Sequence, residues 1–335
     1  MRRPLILLLL LSTGIGCPLL HANDTYVTLG TGGVVAKKTN KITMESEDLR
    51  ISAHRITVRY VFRNVTGKDV DMLVGFPLPD LDGGVIEHEP IKIPADNHPN
   101  YMDFSVTSNG RPVHVSMDER AISGKKDITA QLKAVGLSPN VFHKPLSRSL
   151  AHLSKAQRKR LEQENLLLPG LGDHDWFANW KMRVTFYWRQ RFPANSTVTL
   201  VQTYRPVVGG SYIVKGDSGK YDVQPYCGTD KTLQQMAEVE KRHPAKHVGD
   251  IVFWERTINY ILITANNWNG PIGRFQLLIS TDFPDDILVT CMPGLRRIGT
   301  THYELTRTRF SPSRNLKLLI LHPANPRTGT GEDSK

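Results

Sequence analysis

Glu87-His88-Glu89, followed by His98 and His114, is the densest gathering of metal-capable side chains among the twelve histidines of the sequence. Imidazole and carboxylate together suit zinc or copper. Their spacing matches no compact ligand motif, and histidines on exposed loops account for it, so no metal is assigned. His243 and His247 stand four apart, but Pro244 interrupts the helix that would put both on one face. Asp80-Leu81-Asp82-Gly83-Gly84 opens like a calcium loop and lacks an acidic closing ligand near Ile91, which leaves a turn between strands. Asp173-His174-Asp175 offers carboxylates to orient an imidazole for acid–base work. No Gly-x-Ser-x-Gly elbow accompanies it, and no phosphate-cradling loop or nucleic-acid module is present. No catalytic residue and no cofactor follow from these residues, and the chain reads as a non-enzyme.

Binding chemistry has two candidates. Trp268, Asn269, Gly270 and Pro271 form an unusual loop whose tryptophan either anchors an interface or plugs the end of a sandwich. Trp254 joins Trp268 as an aromatic platform if the partner is a carbohydrate. The basic turn Lys155, Arg158, Lys159 and Arg160 reads as a solvated helix face.

These residues must be carried by strands. From Trp180, Met182, Val184, Phe186 and Trp188 alternate with Lys181, Arg183, Thr185, Tyr187 and Arg189, the period-two pattern of a strand with one buried face. Phe192-Pro193-Ala194-Asn195 turns the chain, and Val198, Leu200 and Tyr204 return as the second arm of an expected hairpin. Ile56, Val58, Tyr60 and Phe62 alternate likewise, and after Asn64-Val65-Thr66-Gly67 the run from Val70 to Phe76 reads as a return strand. A Ser108-Asn109-Gly110 turn marks a further hairpin. Asp127 and Ser154 are placed to cap short helices within a helical excursion at about 120–175. Beyond Gly210 another helix ends near Arg242. Short strands then follow at Ile251–Trp254, Ile258–Thr264, Arg274–Ser280, Ile287–Thr290, His302–Thr306 and Leu316–Leu321. The expected fold is mainly β: two β-sandwich domains, 23–210 and 211–322, with a disordered tail over 323–335.

Arg2 and Arg3 before the apolar run Leu5–Leu11 read as a secretory signal peptide, 1–22, cleaved after Ala22. A lipoprotein acylated at Cys17 is the lesser alternative. No later run is long enough to cross a bilayer. Removing residues 1–22 takes away two arginines and no acids, lowering the formal charge from +11 to +9. Such a charge suits anionic envelope polymers or lipid headgroups, and equally an ordinary solvated surface. In an oxidising compartment, Cys227 and Cys291 are left as an even pair and predict a disulfide. The chain-entropy model values its loop at roughly 4 kcal/mol.

Several blocks occur together and in order. They are Ala22-Asn23-Asp24-Thr25, Thr31-Gly32-Gly33-Val34, Met44 to Leu49, Tyr60 to Asn64, Phe76-Pro77-Leu78-Pro79, Asp127-Ile128-Thr129, Tyr204 to Gly210, and Asn267 to Gly273. In these the mature chain, over roughly 23–321, resembles the bacterial domain-of-unknown-function 4424 family. The resemblance implies an exported bacterial protein and supplies no catalytic residue. The first region is also similar to a VIT (vault protein inter-alpha-trypsin) domain in the order of its strands and turns, which implies a β-sandwich. The expectation is a periplasmic or secreted binding or scaffolding module, whose partner is an envelope protein or polymer and not nucleic acid. The alternative is a periplasmic metal-binding protein or hydrolase-like enzyme.

Overall fold

The computed structural model describes residues 23–30, 33–83, 91–92, 99–140, 149–170, 176–213, 215, 221–242 and 252–324. Its longer strands begin with β1 (Thr25–Gly30), β2 (Gly33–Lys37), β3 (Ile42–Ile51), β4 (Ile56–Asn64), β5 (Val70–Pro77) and β6 (Ser105–Ser108). Next come β7 (Ser116–Ser123), β8 (Leu167–Pro169), β9 (Trp176–Ala178), β10 (Lys181–Phe192), β11 (Thr197–Tyr204) and β12 (Val208–Ile213). The last are β13 (Phe253–Tyr260), β14 (Ile272–Ser280), β15 (Ile287–Thr290), β16 (His302–Phe310) and β17 (Leu316–Pro323). Helices α1 (Thr129–Ala134) and α2 (Lys155–Gln163) fall in the expected excursion, and α3 (Asp230–Arg242) follows β12. The protein is mainly β, as its alternation implies.

One sheet runs β7-β10-β5-β1-β2 and a second runs β16-β14-β3-β4-β11-β6, with two-residue strands at their edges. A third, β15-β17-β13-β12, packs beside them, and β8 pairs with β9. The runs 56–64 and 70–77, expected to pair as a hairpin, instead lie in opposite sheets, and so do 181–192 and 197–204. Each is an arch crossing the sandwich. Both arms of each arch carry their large side chains on one face, and an arch turns those faces toward each other across the gap. Phe104 of one layer stacks on Phe186 of the other at 4.3 Å, and Phe62 meets Phe192 edge-on at 6.0 Å. The two arches are stitched together by Asn64, whose Nδ2 donates to the carbonyls of Lys68 (2.8 Å) and Phe192 (2.9 Å). The turn at 108–111 does form a true hairpin.

The division expected after Gly210 does not separate the sheets. β14 adds parallel to β3, with Leu277 facing Leu49, so residues 272–310 complete a sheet begun by residues 42–64. β17 is buried on both faces: Leu316, Leu318 and Ile320 enter the main core, while Leu319 and Leu321 join a smaller core with Phe253, Met236 and Val239. That explains its unbroken apolar run. The strand expected at Ile258–Thr264 ends at Tyr260, and Ile263–Asn267 is a 3-10 turn.

Local chemistry holds the helices. Ser154 caps α2 in a reciprocal box with Gln157. Asp127 acts one residue outside the expected cap, accepting from the Thr129 amide at 2.9 Å. The Cys227–Cys291 bridge forms as expected, tying the end of a 3-10 turn at Gln224–Tyr226, before α3, to the end of β15. The tail beyond residue 324 lies outside the described residues, and β17 itself runs to Pro323.

At the seam, a Cβ on Gly273 would lie 2.5 Å from the Glu45 carbonyl oxygen, a backbone atom that cannot swing away. Gly273→Ala is expected to lower stability by about 1–3 kcal/mol in urea unfolding. Replacing both Cys227 and Cys291 by serine is expected to cost roughly 4 kcal/mol in the same measurement; values near zero would reject either account.

Candidate functional site

A group of titratable side chains converges in the buried interior. β3 carries a bulge between Met44 and Ser46, after which the buried phase passes from Ile42 and Met44 to Glu47, Leu49 and Ile51. Glu47 therefore points inward from the middle of the second sheet, opposite Tyr60 on β4 and Phe275 on β14. Its carboxylate accepts from Asn23 Nδ2 at 3.1 and 3.3 Å and from the Tyr260 hydroxyl at 3.4 Å. The Tyr60 hydroxyl donates to Asn23 Oδ1 and lies 3.1 Å from that of Tyr260. Beside them, Asp24 Oδ1 accepts from Gln202 Nε2, while among the described residues Asp24 Oδ2 and Gln202 Oε1 have no hydrogen-bond partner. Asn23, Asp24, Glu47, Tyr60 and Gln202 are fully buried.

The loop 264–269 closes this cluster. Thr264 Oγ1 donates to the Asn23 carbonyl (3.0 Å) and Trp268 Nε1 to the Asp24 carbonyl (2.6 Å). Asn267 Nδ2 reaches Thr25 Oγ1 at 2.9 Å. Trp268 packs on Phe62 at 4.6 Å and is 3% exposed. As an interaction surface it is therefore corrected to a plug. Asn269 is half-buried with its amide on the Ile42 carbonyl, Pro271 is half-buried, and Gly270 alone of the four is exposed.

Burial dominates the electrostatics. It pushes the Glu47 carboxyl up to about 8 against the bonds from Asn23 and Tyr260, and Asp48 adds a smaller push. Asp24 is raised well above the usual range by burial, opposed by Gln202 and reinforced by Glu47. Burial raises Tyr60 and Tyr260 as well. All of these groups are buried, and their hydrogen bonds tie the first residues of the chain to β3, β4, β11 and β13.

The other sequence candidates do not converge on it. Glu87, His88, Glu89, His98, His243, His247 and Asp173-His174-Asp175 lie outside the described residues. His114 is exposed on a loop. Asp80 forms a two-pronged pair with Arg183 at 2.7 and 2.8 Å, and Asp82 pairs in register with Lys181, so both serve the turn. Among the described residues no group of three or more metal-capable side chains gathers. A histidine–carboxylate pair forms at His322–Asp286 (2.8 Å), where the other Asp286 oxygen holds the amides of Asp282 and Phe283. Trp254 is half-buried, edge-on to the exposed Tyr212.

A surface cleft of about 330 Å³ lies beside the disulfide, lined by Met292, Phe310, Arg307 and Arg314 among others. Arg307 anchors its wall by donating to the Pro293 carbonyl at 2.8 Å. Arg309, exposed with φ 50°, stands two residues along the same strand. Among the described residues, neither Arg309 nor Arg314 is paired with an acid. Sequence reasoning missed both places. Counting back by twos from Leu49 and Ile51 reaches Glu47, the one signal available for the buried cluster.

The family model for "Domain of unknown function (DUF4424)" matches residues 22–319. The chain belongs to the DUF4424 family. The sealed cluster, the loop that plugs it and the arginine-lined cleft all fall inside the matched span. No curated protein matches this DUF4424 chain. A crystal structure of a "putative nutrient binding protein" from Legionella pneumophila aligns at 14% identity and TM-score 0.43, over 90% of this chain and 70% of that one. That score is too low to support an argument. Among the described residues no helix is long and apolar enough to cross a membrane.

Glu47 sets a pH dependence while Asn23 remains in peptide linkage. The native carboxyl holds its proton to about pH 8 whereas the unfolded one loses it near 4.5, so the native state binds more protons in between. Stability then falls as pH rises from about 4.5 to 8. In a form carrying a short peptide before Asn23, Glu47→Gln should flatten that fall, read by urea unfolding at pH 5 and pH 8. Parallel profiles for the two proteins would refute it.

Proposed function

We propose that this DUF4424 protein is an exported, non-catalytic binding module of the cell envelope, and that it engages an anionic partner through the cleft edge bearing Arg307, Arg309 and Arg314. The observation that carries the reading is that the exposed Arg307 and Arg314 line this cleft with Met292 and Phe310, that the exposed Arg309 follows two residues after Arg307 on the same strand, and that among the described residues neither Arg309 nor Arg314 is paired with an acid. Guanidinium is weakly hydrated and presents a planar fork of donors, which suits carboxylate and phosphate oxygens. The adjoining apolar wall adds contact for a partner with hydrocarbon near its charge. The leader-like segment 1–22 and the disulfide support an oxidising, extracytoplasmic setting. Strand β16, paired with β14, carries Arg307 and Arg309 and fixes their place along the edge.

Cosedimentation with vesicles tests the reading. Phosphatidylglycerol-containing vesicles should pull the protein down at low salt, neutral phosphatidylcholine vesicles should not, and salt should weaken the binding. Arg309→Glu with Arg314→Glu should reduce it by about tenfold or more while the melting temperature holds. Equal binding to neutral vesicles, or full binding by the double variant, would reject this edge as the site.

A further inference from the structure

We infer that the cluster around Asn23 is a binding pocket for the chain's own α-ammonium group, created when the Ala22–Asn23 bond is cut. The inference rests on the export reading for the cut itself and on the interior geometry for the pocket. Hydrolysis by a leader-removing peptidase adds one water. The Ala22 carbonyl leaves as a carboxylate, and the Asn23 nitrogen becomes an amine that takes up a proton near neutral pH.

Three observations converge. Asp24 and Glu47 are fully buried neighbours, and among the described residues neither forms an ion pair with lysine, arginine or histidine; their donors are the neutral side chains of Asn23, Gln202 and Tyr260. Buried carboxylates without a countercharge cost several kcal/mol or hold a proton instead. Asp24 Oδ2 is buried and has no donor among the described residues. The third observation is position. Asn23 Nδ2 touches both Glu47 oxygens, and four covalent bonds keep the α-nitrogen within about 5 Å of it. Asp24 is the next residue. The Asn23 and Asp24 carbonyls are pinned by Thr264 and Trp268, so the nitrogen cannot drift away.

An ammonium brings one positive charge and three donors to a place that has acceptors and no cation. Asn23 is itself fully buried, so a charge created on its nitrogen is enclosed with the two carboxyl groups. Removal of the leader therefore completes the interior. Because the pocket takes side chains from β3, β4, β11 and β13, it locks the first and last thirds of the chain together.

Amine acylation followed by peptide mass spectrometry is the test. In the native mature protein, the Asn23 amine should react at least about tenfold more slowly than in urea, as expected of a buried, paired group. A Gly-Ser extension before Asn23 should lower Tm by roughly 5 °C or more, and Glu47→Gln should shrink that difference. An amine labelled as fast as surface lysines, or an unchanged Tm on extension, overturns the pocket. So does a mature chain from the envelope fraction that starts elsewhere, although that result leaves the envelope reading standing. A chain that is never exported overturns the envelope reading first, whereas vesicle binding lost with the pocket intact removes only the arginine edge.

Discussion

A carboxylate in the middle of an aromatic core has to be matched, and Glu47 is matched by segments distant in sequence. Its neighbours are Asn23 at the start of the described chain, Tyr60 across the ladder and Tyr260 from the third sheet. Removing any of these leaves a buried polar group without its partner, which costs more than the net value of one hydrogen bond. The closing loop 264–269, the first residues of the chain and the bulge in β3 therefore depend on one another. Gly273 permits the arrangement, since the bulged Glu45 carbonyl occupies the space a side chain would need.

Around that polar centre the sandwich follows from aromatic area. Phe62, Phe76, Phe104, Phe186, Phe192, Tyr204 and Trp268 fill the gap between two sheets, and arches bring their faces together. Strand β17 of the third sheet is buried on both faces and couples a small outer core, which lies beside α3 and the disulfide, to the main one. The interior is thus committed to structure. The exposed arginines Arg307, Arg309 and Arg314 stand outside that interior, on β16 and just after it.

The scattered histidines illustrate the same division. His54 and His322 pair with Asp282 and Asp286 near the turn after β14, and Asp282 also holds Arg256 at 2.5 Å. These contacts fix a turn between strands. A carboxylate beside an imidazole is a frequent structural staple, and at Asp286 the backbone amides of the turn already occupy the second oxygen.

The sequence by itself determined the strands, because alternation reflects a local constraint: neighbouring side chains on an extended backbone face opposite ways. It determined the three helices through capping residues and spacing, and the Cys227–Cys291 pair through count and compartment. Which strand lies beside which was decided only by tertiary structure. Pro193 to Ser196 can close a hairpin or an arch, and the choice depends on what the aromatic faces meet across the gap. The parallel pairing of β3 with β14 joins residues more than 200 apart, and no local pattern encodes it. Glu47 was half legible, since the buried phase of Leu49 and Ile51 points to it while the bulge hides the count from Met44. That Trp268 is a plug, and that Asn23 and Asp24 lie inside, are consequences of long-range closure. Burial of a polar side chain depends on donors arriving from elsewhere in the chain, and only the folded molecule brings them together.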